Sequence, residues 1–227
     1  MPVLEAQIVI VQHRKCNATH RLPVIISDKT ITTHKCQVVI VQLLHGENVY
    51  LRRLAQDDLS NTLQWINDED IMIIMGVRGP RNQKIQEEWF DNMNQQDDNI
   101  VFAICLNDGN RHVGNISLFD INYIDSNAGL TIFIGEEEHR RKGYGSESLK
   151  LSLRYAFDYL NLHKVHCKTN KDNPAVKMYE KIGFKQEGIL REQSYEFGTY
   201  LDKIKLGILN KEFERAEAYS ERGNKHE

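Results

Sequence analysis

The chain has 227 residues, 41% of them hydrophobic and 27% charged, with four prolines and a formal charge of −3. That length suits one well-buried domain with an appendage, and the composition excludes a disordered chain. The slightly acidic balance excludes a broad nucleic-acid footprint, and no stretch approaches the roughly 18 apolar residues of a membrane span.

The opening residues Met1-Pro2-Val3-Leu4-Glu5 place no cationic segment before an apolar run. Cys16, Cys36, Cys105 and Cys167 are scattered without a CxxC pair, the pattern of free thiols in a reducing compartment. Both features predict a cytoplasmic protein. Residues 1–46 form a strand-rich extension to which no role is assigned, with β-branched runs at Ile8-Val9-Ile10-Val11, Val24-Ile25-Ile26 and Val38-Val39-Ile40-Val41. His13, Cys16, His20, His34 and Cys36 are zinc-type ligands, but no pair has finger spacing, so no metal is assigned.

From Asn48 the pattern alternates. A strand at Val49 to Leu54 precedes a helix that Asp57 or Asp58 could cap, and a second helix is expected near Gln83 to Met93, where Ile85, Trp89 and Met93 recur every four positions. Val101 to Leu106 and Val113 to Ile121 read as a hairpin about Asp108-Gly109-Asn110, and Leu130 to Ile134 as the next strand.

That strand runs into Arg140-Arg141-Lys142-Gly143-Tyr144-Gly145-Ser146, followed by an amphipathic helix predicted from about Ser146 to Asn161. Glycines let backbone approach a diphosphate, and free amides at a helix start attract the anion. Arg140, Arg141 and Lys142 add positive charge. A bland tight turn is the alternative. Dinucleotide and triphosphate loops fit worse, because the third glycine of one and the Gly-Lys-Ser/Thr of the other are missing.

After the strand Val165 to Thr169 comes Asn173-Pro174-Ala175-Val176-Lys177-Met178-Tyr179-Glu180-Lys181-Ile182-Gly183-Phe184. Asn173 suits an N-cap, Pro174 the first helical position and Gly183 the left-handed residue after the end. Ala175, Val176, Met178, Tyr179 and Ile182 share one side, so Tyr179 faces inward. Phe197-Gly198 should turn between two antiparallel strands across Ile189 to Leu209.

Taken in order, Arg-x-x-Gly-x-Gly before a helix and then Asn-x-x-Ala-x-x-x-Tyr-x-Lys-x-Gly-Phe resemble the GNAT superfamily of acetyl-CoA-dependent N-acetyltransferases. Trp65-Ile66-Asn67-Asp68, Glu187-Gly188-Ile189-Leu190-Arg191 and Gly198-Thr199-Tyr200-Leu201-Asp202 are similar to its ribosomal-protein and spermidine acetyltransferase branch. The resemblance implies an α/β (α+β) fold, with a mixed, mostly antiparallel central sheet flanked by helices. The expected boundaries are 1–46 for the extension, 47–212 for the acetyltransferase domain and 213–227 for a charged tail.

The resemblance further implies acetyl-CoA as co-substrate, with no metal. The strand carrying Ile132, Phe133 and Ile134 would bond the pantetheine arm, Arg140 to Ser146 would hold the pyrophosphate, and Asn173 would touch the arm. Tyr179 would donate a proton to the departing thiolate; its alternative is a core tyrosine. The base is open. Many relatives carry a glutamate in the strand corresponding to Leu130 to Ile134, yet Ala128-Gly129-Leu130-Thr131 offers no carboxylate. Asp68, Glu69, Asp120, Glu136 and Glu147 are candidates, with His166 a poorer one. Tyr195, Glu196, Tyr200 and Asp202 are candidate substrate contacts, or ordinary hairpin pairs. The acceptor is expected to be a primary amine, either a small molecule such as a polyamine or a protein N-terminus, with no nucleic-acid or membrane partner, and a homodimer is compatible with this. Alternatives are a catalytically weak acyl-CoA sensor or an enzyme acting on an amino-sugar nucleotide or antibiotic amine.

Overall fold

The computed structural model describes residues 44–214 other than Phe197. The strands and ligand-type residues read in the first 43 residues, and the tail from residue 215, lie outside the described part.

Seven strands form one sheet: β1 (Val49–Arg53), β2 (Ile100–Leu106), β3 (His112–Asn122), β4 (Asn127–Ile134), β5 (Lys164–Asn170), β6 (Lys185–Glu196) and β7 (Thr199–Leu209). Their order is β1-β2-β3-β4-β5-β7-β6. Only β4 and β5 run parallel; the other neighbours are antiparallel. The crossover between the parallel pair contains α4 (Tyr144–Arg154), while α5 (Ala175–Ile182) joins β5 to β6. Three helices, α1 (Leu59–Ile66), α2 (Glu69–Met75) and α3 (Gln83–Gln95), fill the connection from β1 to β2. This is the mixed, mostly antiparallel arrangement expected.

Strand periodicity sorts the helices between the two faces. In β2, Ile100, Phe102 and Ile104 pack in one cluster with Leu149 and Leu153 of α4 and Tyr179 and Ile182 of α5. Val101, Ala103 and Cys105 turn the other way, onto Leu59, Phe90 and Met93 of α1 and α3. Being covered on both sides, β2 reads as the nearly continuous apolar run Ile-Val-Phe-Ala-Ile-Cys-Leu.

Four details depart from the sequence reading. First, Asp58 does not cap α1: it has helical φ/ψ at the end of a 3₁₀ turn and makes no side-chain cap bond. Its carboxylate instead accepts from Arg52 at 2.6 and 2.7 Å and from the Ala55 amide at 2.8 Å. Second, α2 was not foreseen, although Asp68 Oδ1 accepts the Ile71 amide at its start and Gly76, φ 68°, closes it. Third, α4 begins at Tyr144 and ends as an α-helix at Arg154, where a π turn over Tyr155–Tyr159 follows; the Leu160 amide donates to the Tyr155 carbonyl, five residues back. Fourth, Leu44 and Phe213, outside the expected domain bounds, are buried in the main core. Phe213 packs on Phe157 at 5.6 Å between ring centroids, a contact that recruits the first residue of the supposed tail.

Candidate active site

The two parallel strands part company after three pairs. Asn127, Ala128 and Gly129 of β4 match Lys164, Val165 and His166 of β5, and no further register exists between them. Meanwhile β4 stays paired with β3 as far as Ile134, and β5 pairs with β7 as far as Asn170. The stretch 130–134 therefore keeps a ladder on one side and, toward β5, an open edge whose polar backbone groups can pair with an amide-bearing ligand. Ile132 and Ile134 direct their side chains to the α4 and α5 face, whereas Phe133 packs on Trp65 across the sheet, 6.3 Å between ring centroids.

Beyond β4, a 3₁₀ turn over Glu137–His139 leads into the glycine loop. Arg141 and Gly143 both adopt left-handed backbone, φ 61° and 89°. Gly143 is the residue before α4, and the first helical bond runs from the Glu147 amide to the Gly143 carbonyl. Amides up to Ser146 consequently precede the intrahelical ladder, at the positive end of the helix dipole. Arg141 and Lys142 are exposed there. Arg140 is committed elsewhere: its Nε and one terminal nitrogen donate to the Ile134 and Gly135 carbonyls, both at 3.1 Å. It braces the corner between strand and loop. A Cβ on Gly145 would lie 3.7 Å from Met178 Sδ and 3.9 Å from Ile134, so the α4 start, α5 and the β4 end meet at this glycine.

Tyr179 is buried in the same quarter, its ring edge-on to Phe184 at 5.2 Å. Burial, reinforced by the neighbouring Cys167, raises its phenol well above the usual tyrosine range. Cys167, on β5 past the last β4 pair, is likewise pushed up by burial to about 12. Both groups hold their protons at neutral pH. α5 begins at Ala175 with Pro174 in the N-cap position, one residue later than expected. Asn173, just before it, accepts the Ala175 amide through Oδ1 at 2.8 Å and the Val176 amide through its carbonyl at 3.0 Å, and so braces the start of the helix that carries Tyr179.

Most of the candidate bases are engaged. Asp68 caps α2, and Glu136 is held by Arg111 at 2.7 Å and faces His139 at 3.2 Å. Glu147 accepts from the Asn48 backbone at 2.9 Å and side chain at 3.0 Å. Asp120 occupies a bulge at the end of β3 away from the loop, with φ 50°. Glu69 is exposed in the first turn of α2. His166 forms the last β4–β5 pair, and burial followed by Lys205, Lys164 and Lys168 lowers its pKa.

In the β6–β7 hairpin, Tyr195 and Tyr200 are directly opposite and exposed, 5.0 Å between centroids. Glu196 accepts from Asn170 Nδ2 at 3.1 and 3.0 Å, and Asp202 from the Glu192 amide at 2.8 Å, so both carboxylates serve the local structure. Arg78 ties the loop after α2 to this hairpin through the Tyr195 carbonyl at 2.7 Å.

A recess that sequence reasoning missed lies on the opposite face of β4 from α4. It measures about 120 Å³, and its polar wall includes Thr62, Gln86, Asn115, Ser117 and Thr131. Thr131 and Phe133, which flank Ile132 at the open edge, form part of it. Its wall is ordered by a buried chain of bonds: the Thr62 hydroxyl donates to the Asp58 carbonyl, Asn115 Nδ2 donates to Thr62 Oγ1, and His112 Nε2 meets Asn115 Oδ1 at 2.8 Å. Burial lowers the His112 pKa, and Trp65 packs edge-on against its ring at 4.7 Å. The available signal was the period-two placement of Asn115 and Ser117 within the otherwise apolar stretch Val113 to Phe119 of β3.

An open strand edge, a helix start with free amides and a buried phenol thus lie on the α4 and α5 side of the sheet. Residues 48–185 match the acetyltransferase (GNAT) domain family, and the chain belongs to it. It is an N-acetyltransferase, transferring an acetyl group to an amine. A prophage-derived N-acetyltransferase of Bacillus subtilis is 30% identical over 172 residues, 74% of this chain and 94% of its own length. The spermidine N(1)-acetyltransferase of Vibrio cholerae is 30% identical over 166 residues, 67% of this chain and 94% of the relative. The crystal structure of the Vibrio cholerae spermidine N-acetyltransferase with CoA and spermine superposes with a TM-score of 0.68 at 30% identity, covering 72% of this chain and 96% of that one.

Proposed function

We propose that the donor is acetyl-CoA and that the amine attacks the thioester directly, with Tyr179 as the acid. The observation that carries this reading is the loss of β4–β5 pairing after Gly129, which leaves the 130–134 edge open beside the buried Tyr179. The residues fit the donor: the edge offers alternating amides and carbonyls to a pantetheine arm, and the amides from Arg141 to Ser146 suit a pyrophosphate. Acetyl-CoA supplies the activated acetyl group. The solved relative that holds CoA and spermine supports this assignment.

The chain's own task is orientation and proton management. A new N–C bond forms as the C–S bond breaks. The amine loses one proton, to water or an adjacent carboxylate, and the departing sulfur gains one from the Tyr179 hydroxyl. Burial keeps the Tyr179 hydroxyl protonated at neutral pH, so it is present as a hydrogen-bond donor to the departing sulfur, but it also makes the phenol a weaker acid; the charge that builds on sulfur as the C–S bond breaks is what drives the transfer. Arg140 acts by positioning: its two bonds to the Ile134 and Gly135 carbonyls fix the angle at which the edge enters the loop.

Calorimetric titration with acetyl-CoA, alongside thiol release with an amine panel, tests the reading. Binding with amine-dependent thiol release is expected. Binding without release for any amine would overturn it.

A further inference from the structure

Cys167 is the first residue of β5 beyond its last pair with β4, that of Gly129 with His166. It therefore sits at the apex of the split whose other side is the open edge 130–134. Strand alternation turns its side chain, like that of Val165, onto the α4 and α5 face, where it shares the core cluster with Tyr179. Its neighbour on β7 is Leu206, fully buried and apolar. Cys167 is 3% exposed and Tyr179 5%, and the thiol of one meets the hydroxyl of the other in a hydrogen bond. Among the described residues, and apart from burial, each is the group that acts on the other.

A phenol carries one proton, and a thiol is a weak donor as well as a weak acceptor. A Tyr179 proton aimed at the Cys167 sulfur would be spent there. With the thiol donating instead, the phenol oxygen is the acceptor and its own proton is left for a second partner. The ring itself is fixed, edge-on to Phe184 at 5.2 Å, so the torsion of the hydroxyl is what remains to be set. Cys167 holds its proton up to about 12, so at neutral pH it is a thiol and able to donate; the upward push it exerts on the phenol needs its thiolate, which is absent there.

We propose that Cys167 is a positioning residue for the acid: its S–H donates to the Tyr179 oxygen, which turns the phenolic proton toward the thioester sulfur and supports the oxygen as that proton leaves. This rests on the acetyl-transfer reading with Tyr179 as proton donor. In the step itself the C–S electron pair goes to the sulfur of the leaving CoA and the phenolic proton follows it. The charge left on the Tyr179 oxygen is met by the Cys167 S–H until the proton released by the amine returns through water. No bond forms between Cys167 and the acetyl group. An aliphatic side chain would fill the same space and leave the hydroxyl without this partner.

The test uses the full chain at saturating acetyl-CoA with the most active amine of a panel that includes spermidine, read as thiol release. Cys167→Val fills the space without a donor and should lower kcat by about tenfold, while the KM for the amine and the calorimetric affinity for acetyl-CoA stay within about twofold. Cys167→Ser restores a donor and should recover about half of the wild-type kcat or more. In the Tyr179→Phe background, Cys167→Val should change kcat by less than about twofold, because no hydroxyl is left to orient. Cys167→Ala takes the place of the valine variant if that one fails to fold, with the same expectations. Wild-type kcat in Cys167→Val, a serine variant no faster than the valine one, or the same loss in the Tyr179→Phe background would overturn the proposal while leaving Tyr179 as the acid. Wild-type turnover by Tyr179→Phe, or no thiol release with any amine, would overturn both.

Discussion

Glu147, in the first turn of α4, binds Asn48 twice: the Asn48 amide donates to Oε1 at 2.9 Å and the Asn48 side chain donates to Oε2 at 3.0 Å. The pair fastens the helix behind the glycine loop to the residue that enters β1. A carboxylate so occupied serves as a clasp and not as the base. Glu147→Ala should cost about 1–2 kcal/mol, the worth of two exposed hydrogen bonds, and lower Tm by a few degrees. Turnover per folded enzyme should be unchanged, and thermal melts with thiol-release kinetics check both halves.

The Arg52–Asp58 pair should be the costlier one to break. Asp58 is 4% exposed, so Asp58→Ala leaves a largely buried guanidinium unpaired, a loss of about 3 kcal/mol or more. Denaturant melts read it directly.

Stability should fall in two stages as pH drops. Burial lowers the His112 pKa below 6.5, so the unfolded chain takes up that proton first, and stability present above pH 6.5 is lost as pH falls below it. For Asp58, burial pushes upward, but the bonds from Arg52 and the Ala55 amide outweigh it and hold the carboxyl below 3.8; its contribution is lost only as pH falls beneath that value. Melts from pH 8 to 3 should show both stages, and His112→Gln should shrink the first.

Two glycines should respond in opposite ways. A Cβ on Gly135 would lie 2.1 Å from Trp65 Cδ2, so Gly135→Ala must displace that ring, at about 1–3 kcal/mol. A Cβ on Gly145 meets only ordinary contacts, the nearest at 3.7 Å. Gly145→Ala should therefore keep its Tm yet weaken acetyl-CoA binding, since the added methyl sits where the ligand needs close backbone approach. Paired melts and calorimetry separate the two.

Local chemistry made much of this legible. Apolar runs revealed the strands, and Asn173, Pro174 and Gly183 bounded α5 to within a residue because each acts on its own backbone. The helix α2 escaped because seven residues of Glu-Asp-Ile-Met-Ile-Ile-Met carry no clear stripe, leaving only Asp68 and Gly76 as signals. The parting of β4 from β5, the capture of Asp58 by Arg52 and the lock of Arg140 onto two carbonyls depend on partners that only the assembled sheet supplies. Gln86 was hidden for the same reason: its position on α3 looks like a solvated one until α3 is laid on β2 and β3.

The most direct test of the account is thiol release by Tyr179→Phe at saturating acetyl-CoA and amine. Loss of the hydroxyl should lower kcat by about a hundredfold or more, while calorimetry finds acetyl-CoA affinity unchanged, because the ring still fills its place against Phe184. A Tyr179→Phe enzyme that turns over at the wild-type rate would contradict the assignment of Tyr179 as the proton donor.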